Sequence, residues 1–524
     1  MAARTAPAAD LVDELVHQFS DPFAFYRELI QNGIDAGSRR IEVTLSFHPG
    51  RGSGTATAQV ADWGEGMNRD LLENYLLTKF RSTKEGDLTK IGRFGIGFVS
   101  VFAPEPDLVV VETGRDGEAW RLLFQRDKTY ELFRSPEPVE GTRVILHKQM
   151  KAPEYDAFRE RSREAIQRWC RHSEAEVMFA AGDASGGAVP EPASVREPFT
   201  VDAPFAVEHV EEGTRVVAGP SRQEPPLCGM YNRGLTLLEL REALFPGVTF
   251  KIASRYLEHT LTRDNVRRDE HFEKAMRLVR ELVEGPLKER LAPELRACAE
   301  RRAWADYRVL LRHAKGKLDG DALWFPLAQG GAADGKALRR AARKAGVLAM
   351  ARGRDALVDR LAAAEIPVLL ADAGGELVEI AKAALGISEC KFADEAYCIA
   401  EPVEAPGGPE LLRALRPMLE EAQLPSEKLL VATLRGAGAS AIYSLVDRIG
   451  EPQVVRPLPP LHIPGNQTRI LCLNRGHARV AQALELARSR SSLAAFLLYR
   501  LLAVGEVTRD AKRDWAIAEK ALSR

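Results

Sequence analysis

From about residue 10 to 150 the apolar positions switch between two periods. DLVDELVHQF and FAFYRELI space them three to four residues apart, the period of a helix with one buried face. IEVTLSF alternates, and LVVVE and RVILH are short apolar runs, which are the marks of strands. Both periods within one stretch predict a layered α/β domain. EYDAFRERSREAIQRWCRH, residues 154–172, predicts a charged amphipathic helix, and AAGDASGGAVPEPAS after it is too rich in Gly, Pro, Ala and Ser to hold regular structure. A first boundary is expected there. A mixed segment from about 199 to 395 carries strand-like CGMYNRGLTL, long helices through 269–315 and the buried-strand run IPVLLADAGG. PVEAPGGPE, residues 402–410, reads as the next linker. LLRALRPMLEEA, the proline-broken QVVRPLPPLHIPG and a strongly helical stretch from His477 to Arg524 follow. Three domains result: 1–180, 199–400 and 410–524.

Length supports that division, because 524 residues exceed what one hydrophobic core organises. The fractions of 45% hydrophobic and 28% charged residues exclude a disordered or low-complexity polymer. Lys+Arg 73 against Asp+Glu 74 leaves a net charge of −1, so no global positive field favours nucleic acid or an anionic membrane. Cys170, Cys228, Cys298, Cys390, Cys398 and Cys472 show no CxxC spacing, which predicts reduced core thiols rather than a zinc ribbon or disulfide framework. MAARTAPAAD lacks the apolar stretch of a secretion signal, and no run of about 18–20 apolar residues suits a membrane span. A cytoplasmic location with no membrane partner is expected.

Candidate chemistry is concentrated near the start. In RELIQNGIDAGSRRIEVTL, Glu28, Asn32 and Asp35 fall at i, i+4 and i+7 and share a helix face. Alone, that is an ordinary solvated face. A strand then leads into Asp62-Trp63-Gly64-Glu65-Gly66-Met67, an acidic strand end followed by two permissive glycines. Gly92-Arg93-Phe94-Gly95-Ile96-Gly97-Phe98 opens an apolar run and suits backbone N–H groups presented to phosphates. Its GxxGxG spacing differs from the GxGxxG dinucleotide fingerprint, and no Walker Lys-Ser/Thr follows. Gly141-Thr142 precedes the strand RVILH. Each element is weak, but four in this order within one α/β domain are specific.

These four motifs resemble the GHKL ATPases, which include the ninety-kilodalton heat-shock chaperones, MutL-type repair proteins, type II topoisomerase ATPase subunits and sensor histidine kinases. The resemblance implies an ATP-binding sandwich, an antiparallel sheet backed by helices with a movable lid, and ATP and Mg as cofactors. Glu28 resembles the carboxylate that activates the attacking water, Asn32 the ligand of phosphate-bound Mg, and Asp62 the acceptor for the adenine amino group. Such roles suit a general base, a hard amide-oxygen ligand and a discriminating carboxylate. By the same resemblance Asp35 and Thr142 make indirect adenine contacts. Gly64, Gly66, Met67 and Asn74 belong to the nucleotide-binding set, and Gly92, Gly95, Gly97 and Phe98 to the phosphate-facing turn. The lid is expected between Asn68 and Lys90, where Arg81 and Lys84 are candidate phosphate cations or a solvated basic loop.

Downstream residues point to the chaperone branch, and motifs so near the N-terminus disfavour a histidine kinase. GTRVILHKQMKAPEYDAFRERSREAIQRWCRHSE resembles the end of the chaperones' nucleotide domain. CGMYNRGLTLLELREALFPGVTFKIASRYLEHTLTRDNVRRDEHFEKAMRLVRELV resembles their α/β middle domain. Arg263 falls on the arginine that the middle domain extends to the γ-phosphate, while Arg267 stands where the family places a glutamine. RILCLNRGHARVAQALELARSRSSLAAFLLYRLLAVGE resembles their mostly helical C-terminal dimerisation domain, in which a helix-capping role is expected of His477. The resemblance therefore implies an HtpG-like, Mg-dependent and slow ATPase, a homodimeric chaperone clamp acting on client proteins. A DNA-associated GHKL ATPase of the MutL or MORC kind is the alternative, disfavoured by the near-neutral charge. A regulatory ATP-binding module without clients is the third.

Overall fold

The computed structural model describes residues 16, 21–77, 96–260, 265–455, 469–503 and 511–523, and the chain falls into two compact units, Met1–Lys288 and Glu289–Arg524. In the first, helix α1 (Ala24–Asp35) forms because Phe25, Tyr26, Leu29, Ile30 and Ile34 repeat at helical spacing and bury one face. Strand β1 (Arg40–His48) buries Ile41, Val43, Leu45 and Phe47 in strict alternation and pairs antiparallel with β2 (Gly54–Asp62). Strands β3 (Leu108–Arg115), β4 (Glu118–Gln125), β5 (Tyr130–Arg134) and β6 (Gly141–Met150) precede helix α2 (Ala152–Cys170), and β7 (Glu176–Ala181) and β8 (Ala193–Ser194) follow it.

The resulting sheet has the order β5-β4-β3-β6-β2-β1-β7-β8. It is antiparallel except where β7 lies parallel to β1, after the α2 crossover. The core packs Phe25, Ile30, Val43, Leu45, Val109, Phe124 and Ile166 together, and Tyr26 Oη donates to Ser162 Oγ at 3.0 Å to tie α1 to α2. This is the expected α/β sandwich.

The expected first linker has a different role. Its glycines and prolines form a loop that carries β8 back onto β7, with Met178 opposite Ser194. Gly182 anchors the loop, its N–H donating to Leu45 at 2.8 Å and its carbonyl accepting from Tyr155 Oη at 2.9 Å. Turn-rich sequence here closes over its own sheet instead of leaving it.

A second sheet belongs to the same unit: β9 (Val207–Glu211), β10 (Thr214–Pro220), β11 (Leu227–Asn232), β12 (Leu235–Arg241) and β13 (Val248–Ser254), in the order β12-β11-β13-β10-β9. Helix α3 (Glu270–Leu282) follows, its N-terminus capped by Asp269, which accepts from the His271 and Phe272 N–H groups at 3.0 and 3.1 Å. The β12-β11-β13 side of this sheet meets the residues just after α2 through buried and half-buried polar groups. Lys251 Nζ donates to His172 Nε2 at 2.9 Å, and Arg171 and Tyr231 both donate to Glu239. Burial and the Lys251 ammonium push the His172 ring down to about 4, so it is a neutral acceptor near neutral pH.

The second unit begins with helices Lys288–Arg301 and Trp304–Ala314, the first starting at the last residue of unit one. The hairpin β14 (Trp324–Pro326) and β15 (Ala332–Asp334) comes next. Strands β16 (Leu348–Ala351), β17 (Leu369–Leu370) and β18 (Cys390–Phe392) form a parallel sheet in the order β17-β16-β18. Its crossovers carry helices Ala356–Ala363 and Glu376–Leu385. Strands β19 (Tyr397–Pro402), β20 (Leu429–Gly436), β21 (Tyr443–Val446), β22 (Gln453–Val454) and β23 (Ile470–Asn474) build a five-stranded sheet ordered β21-β23-β20-β19-β22. Residues 402–410, expected as a linker, therefore connect two elements of one packed layer: Pro402 pairs with Ala432 on β20, and helix α4 (Gly408–Glu421) follows.

The chain ends in α5 (Ala478–Ala487), α6 (Ser491–Leu502) and α7 (Ala511–Leu522). His477 caps α5, its Nδ1 accepting from the Arg479 N–H at 3.2 Å. Val480, Leu484, Leu498 and Leu502 are buried against Leu411, Leu415 and Leu419 of α4. Most of the dense apolar pattern of 480–502 is thus satisfied within one chain. Leu497 at 49% and Trp515 at 73% exposure remain outward.

Candidate functional site

Helix α1 carries the first three candidates, but they do not share one environment. Glu28 is buried at 5% exposure, whereas Asn32 and Asp35, nearer the helix end, are exposed. Glu28 is turned toward the short helix Ile96–Val99: a methyl group on Gly97 would lie 2.5 Å from Glu28 Oε2. A side chain at this position would require the Glu28 carboxylate to move. Phe98, the next residue, is buried with its ring 5.8 Å from that of Phe124, so its side chain belongs to the core.

The other end of α1 abuts Asp62, the last residue of β2. A methyl on Gly33 would sit 3.0 Å from Asp62 Cβ, so the missing side chain sets the helix-to-strand distance here as well. The Asp62 carboxylate accepts from the Gly64 N–H at 2.8 Å. Burial raises Asp62 above the ordinary aspartate range, partly offset by backbone N–H donors at Gly64 and Thr142. Past the strand, the Trp63 N–H donates to Ser38 Oγ at 3.0 Å and the Glu65 N–H to the Ala36 carbonyl at 2.9 Å. Gly66 lies against the Gly114 and Gly141 carbonyls.

A residue missed by sequence reasoning joins these pieces. Thr113, fully buried on β3, accepts from the Met67 N–H at 2.8 Å, donates to the Gly141 carbonyl at 3.1 Å and meets Thr142 Oγ1 at 3.0 Å. Thr142 pairs with Asp62 across β2 and β6 and with Thr113 across β3 and β6. The available signal was a hydroxyl at the inward position after Val109 and Val111, where an apolar residue would be expected.

Asn68 starts the expected lid by capping the short helix Arg69–Leu71, its side chain accepting from the Leu71 N–H at 3.1 Å, and Asn74 is exposed on the following π turn. Arg81, Lys84, Gly92, Gly95 and Arg263 lie outside the described residues. A cavity of about 410 Å³ on the neighbouring strand ends is lined by Trp63, Gly64, Arg115, Asp116 and Gly141 among others. Of the residues that the resemblance assigns to nucleotide binding, Gly64 is on its wall.

Chemically, the arrangement offers a buried carboxylate beside Gly97 in the middle part of α1 and a second, strand-bound carboxylate with hydroxyl neighbours at its C-terminal turn. Among the described residues no group of three or more His, Cys, Asp or Glu is placed to hold a metal ion. One exposed amide, that of Asn32, fits the mode in which Mg takes a single protein ligand together with phosphate and water oxygens.

Residues 24–138 match the family described as histidine kinase-, DNA gyrase B-, and HSP90-like ATPase. The chain is 32% identical over 178 residues to the chaperone protein HtpG of Nitrobacter hamburgensis, which covers 27% of this chain and 28% of that protein. It is 36% identical over 173 residues to HtpG of Nitrobacter winogradskyi, 27% of each, and 30% identical over 211 residues to HtpG of Rhodospirillum rubrum, 33% of this chain and 32% of that one. Together these matches support an HtpG-like protein within the GHKL superfamily. The chain spans about a third or less of the length of the curated relatives it matches. No described helix is long and apolar enough to cross a membrane.

Proposed function

We propose that the chain is an ATP-dependent molecular chaperone of the HtpG type, a cytoplasmic homodimeric clamp that uses ATP binding and slow hydrolysis to remodel client proteins. The observation that carries this reading is that one helix meets both halves of the candidate site, Gly97 closing on Glu28 and Gly33 on Asp62. Asp62 accepts from the adenine amino group, with Asp35, Gly64, Gly66, Met67, Asn74 and Thr142 around it. Glu28 takes a proton from the attacking water. The Gly92, Gly95, Gly97 and Phe98 backbone faces the phosphates, and Arg81, Lys84 and Arg263 supply cationic stabilisation as charge develops there. Asn32 would hold Mg, which when bound neutralises phosphate charge. The clamp is built from the two compact units, Met1–Lys288 and Glu289–Arg524, and Leu497 and Trp515 offer apolar surface to a partner subunit.

The test is steady-state ATP turnover by the purified chain, with and without an unfolded protein whose aggregation is followed in parallel. ATP turnover together with suppressed aggregation supports the reading. Turnover indifferent to the unfolded protein, with salt-dependent DNA binding, would favour the DNA-associated alternative, against which the net charge of −1 weighs.

The crowding at Gly97 yields a sharper expectation. In Gly97→Ala the added methyl must displace the Glu28 carboxylate, so turnover should fall about tenfold or more, given that misplacing a catalytic group by 1 Å costs about 10²-fold. ATP affinity should change less than turnover. Parallel calorimetry and kinetics check this, and wild-type turnover would separate Glu28 from the chemistry.

A further inference from the structure

Arg233 occupies the turn between β11 and β12, nearly two hundred residues after α1, and yet reaches it. Its Nη1 donates to Asp35 Oδ1 at 3.1 Å. The backbone that aims it is tightly held. Arg233 takes a left-handed conformation at φ 47°, and a methyl on the following Gly234 would lie 1.8 Å from the His172 carbonyl, so the turn is pressed onto the chain just after α2. The Glu174 N–H donates to the Arg233 carbonyl at 3.1 Å, Thr236 Oγ1 to the Arg168 carbonyl at 2.8 Å, and Asn232 Nδ2 to the Leu257 carbonyl at 2.7 Å. With the hairpin fixed on both sides, the guanidinium is delivered to the C-terminal end of α1, where a cation also meets the negative end of the helix dipole.

The turn of α1 that Arg233 grips is the one that packs on Asp62. Gly33 abuts the Asp62 side chain, the Ala36 carbonyl accepts from the Glu65 N–H, and Gly64 closes against Ala36. We propose that Arg233 is a positioning residue for the nucleotide site: through Asp35 it holds the last turn of α1 against the Asp62–Glu65 segment and couples the β9–β13 sheet to adenine binding. This inference rests on the proposed ATP reading of the site and adds a route by which nucleotide occupancy reaches the second sheet. Burial lifts Asp35 above the ordinary aspartate range and the Arg233 charge draws it back. The Arg233 and Asp35 side chains are 47% and 33% exposed, and a pair so hydrated contributes little to global stability. Its effect is therefore expected in ligand response and not in melting temperature.

The experiment uses the full chain with ADP as probe. Arg233→Ala should weaken ADP binding about threefold to fivefold, in line with the size of a half-exposed ion pair, with little change in thermal midpoint. Arg233→Lys should recover part of that loss. Combining Arg233→Ala with Asp35→Asn should give less than the product of the two single effects. Hydrogen exchange across 227–241 should slow on adding ADP in the wild type and respond less in Arg233→Ala. Arg215→Ala, which breaks an exposed pair with Glu208 on the same sheet, serves as control and should bind ADP as the wild type does. If the wild type binds ADP and Arg233→Ala binds it equally with an unchanged exchange response, the inference is overturned while the site reading survives. An equal loss in Arg215→Ala would also overturn it. A wild type that binds no adenine nucleotide removes both.

Discussion

Asp62→Asn is expected to reduce adenine-nucleotide affinity by about 5–150-fold, the range that a buried hydrogen-bond mismatch of about 1–3 kcal/mol produces. One oxygen of Asp62 is already engaged, accepting from the Gly64 N–H at 2.8 Å. An asparagine has a single acceptor oxygen. If that oxygen stays with Gly64, the amide NH₂ points where the adenine amino group needs an acceptor, and two donors face each other. If the side chain flips, the clash moves to Gly64. A carboxylate satisfies both, and the amide cannot. The fold should survive, because Gly33 packs on the Asp62 Cβ and Cγ atoms, whose counterparts asparagine retains. Calorimetric titration with ATP and ADP, alongside thermal melts, measures both effects, and wild-type affinity in a folded Asp62→Asn protein would remove Asp62 from adenine recognition.

Much of the nucleotide-domain architecture could be read from local patterns, for a physical reason. In α1 the apolar spacing that makes a helix is also what buries Phe25, Tyr26 and Ile30, and in β1 the alternation that makes a strand is what turns Ile41, Val43 and Leu45 inward. Local and global demands agree there, so the local pattern suffices. What was not legible depends on pairing between distant segments. Nothing near Glu176 announces that β7 will lie parallel to β1, and nothing near residue 190 announces that a Gly- and Pro-rich stretch will lead back to the sheet edge. β20, whose LLVATLRG sequence pairs with β19 across the expected linker, was invisible for the same reason.

The apolar residues of 480–502 show the opposite limit. Their density requires a covered surface, but density cannot say what covers it, and within the same chain α4 packs against it. At the candidate site, glycine positions carried more information than polar ones. Gly33 and Gly97 are defined by what stands against them, and both stand against acidic side chains that were candidates independently. Thr113 and Arg233 carry no site role in the sequence because a threonine in a strand and an arginine in a turn have none until their partners, Thr142 and Asp35, are known.

Glu28→Ala should leave ATP binding within a fewfold of wild type and lower turnover by about 10²–10⁴-fold, the usual contribution of general-base assistance. Two features of the site favour so large an effect. Glu28 is only 5% exposed, so bulk water has little opportunity to replace it as proton acceptor. The Gly97 backbone also lies close enough that a methyl there would meet Oε2 at 2.5 Å, so the carboxylate stands directly beside the turn that the reading assigns to the phosphates. Binding should be spared because Asp62, which the reading assigns to adenine, packs on Gly33, more than one helical turn further along α1. Glu28→Gln separates charge from volume: it keeps the packing against Gly97 but cannot take up a proton, so its turnover should resemble that of Glu28→Ala. A Gln variant with near-normal turnover would mean that Glu28 matters for shape alone. Turnover above about a tenth of wild type in both variants would show that another group activates the water, a far smaller loss than general-base removal produces.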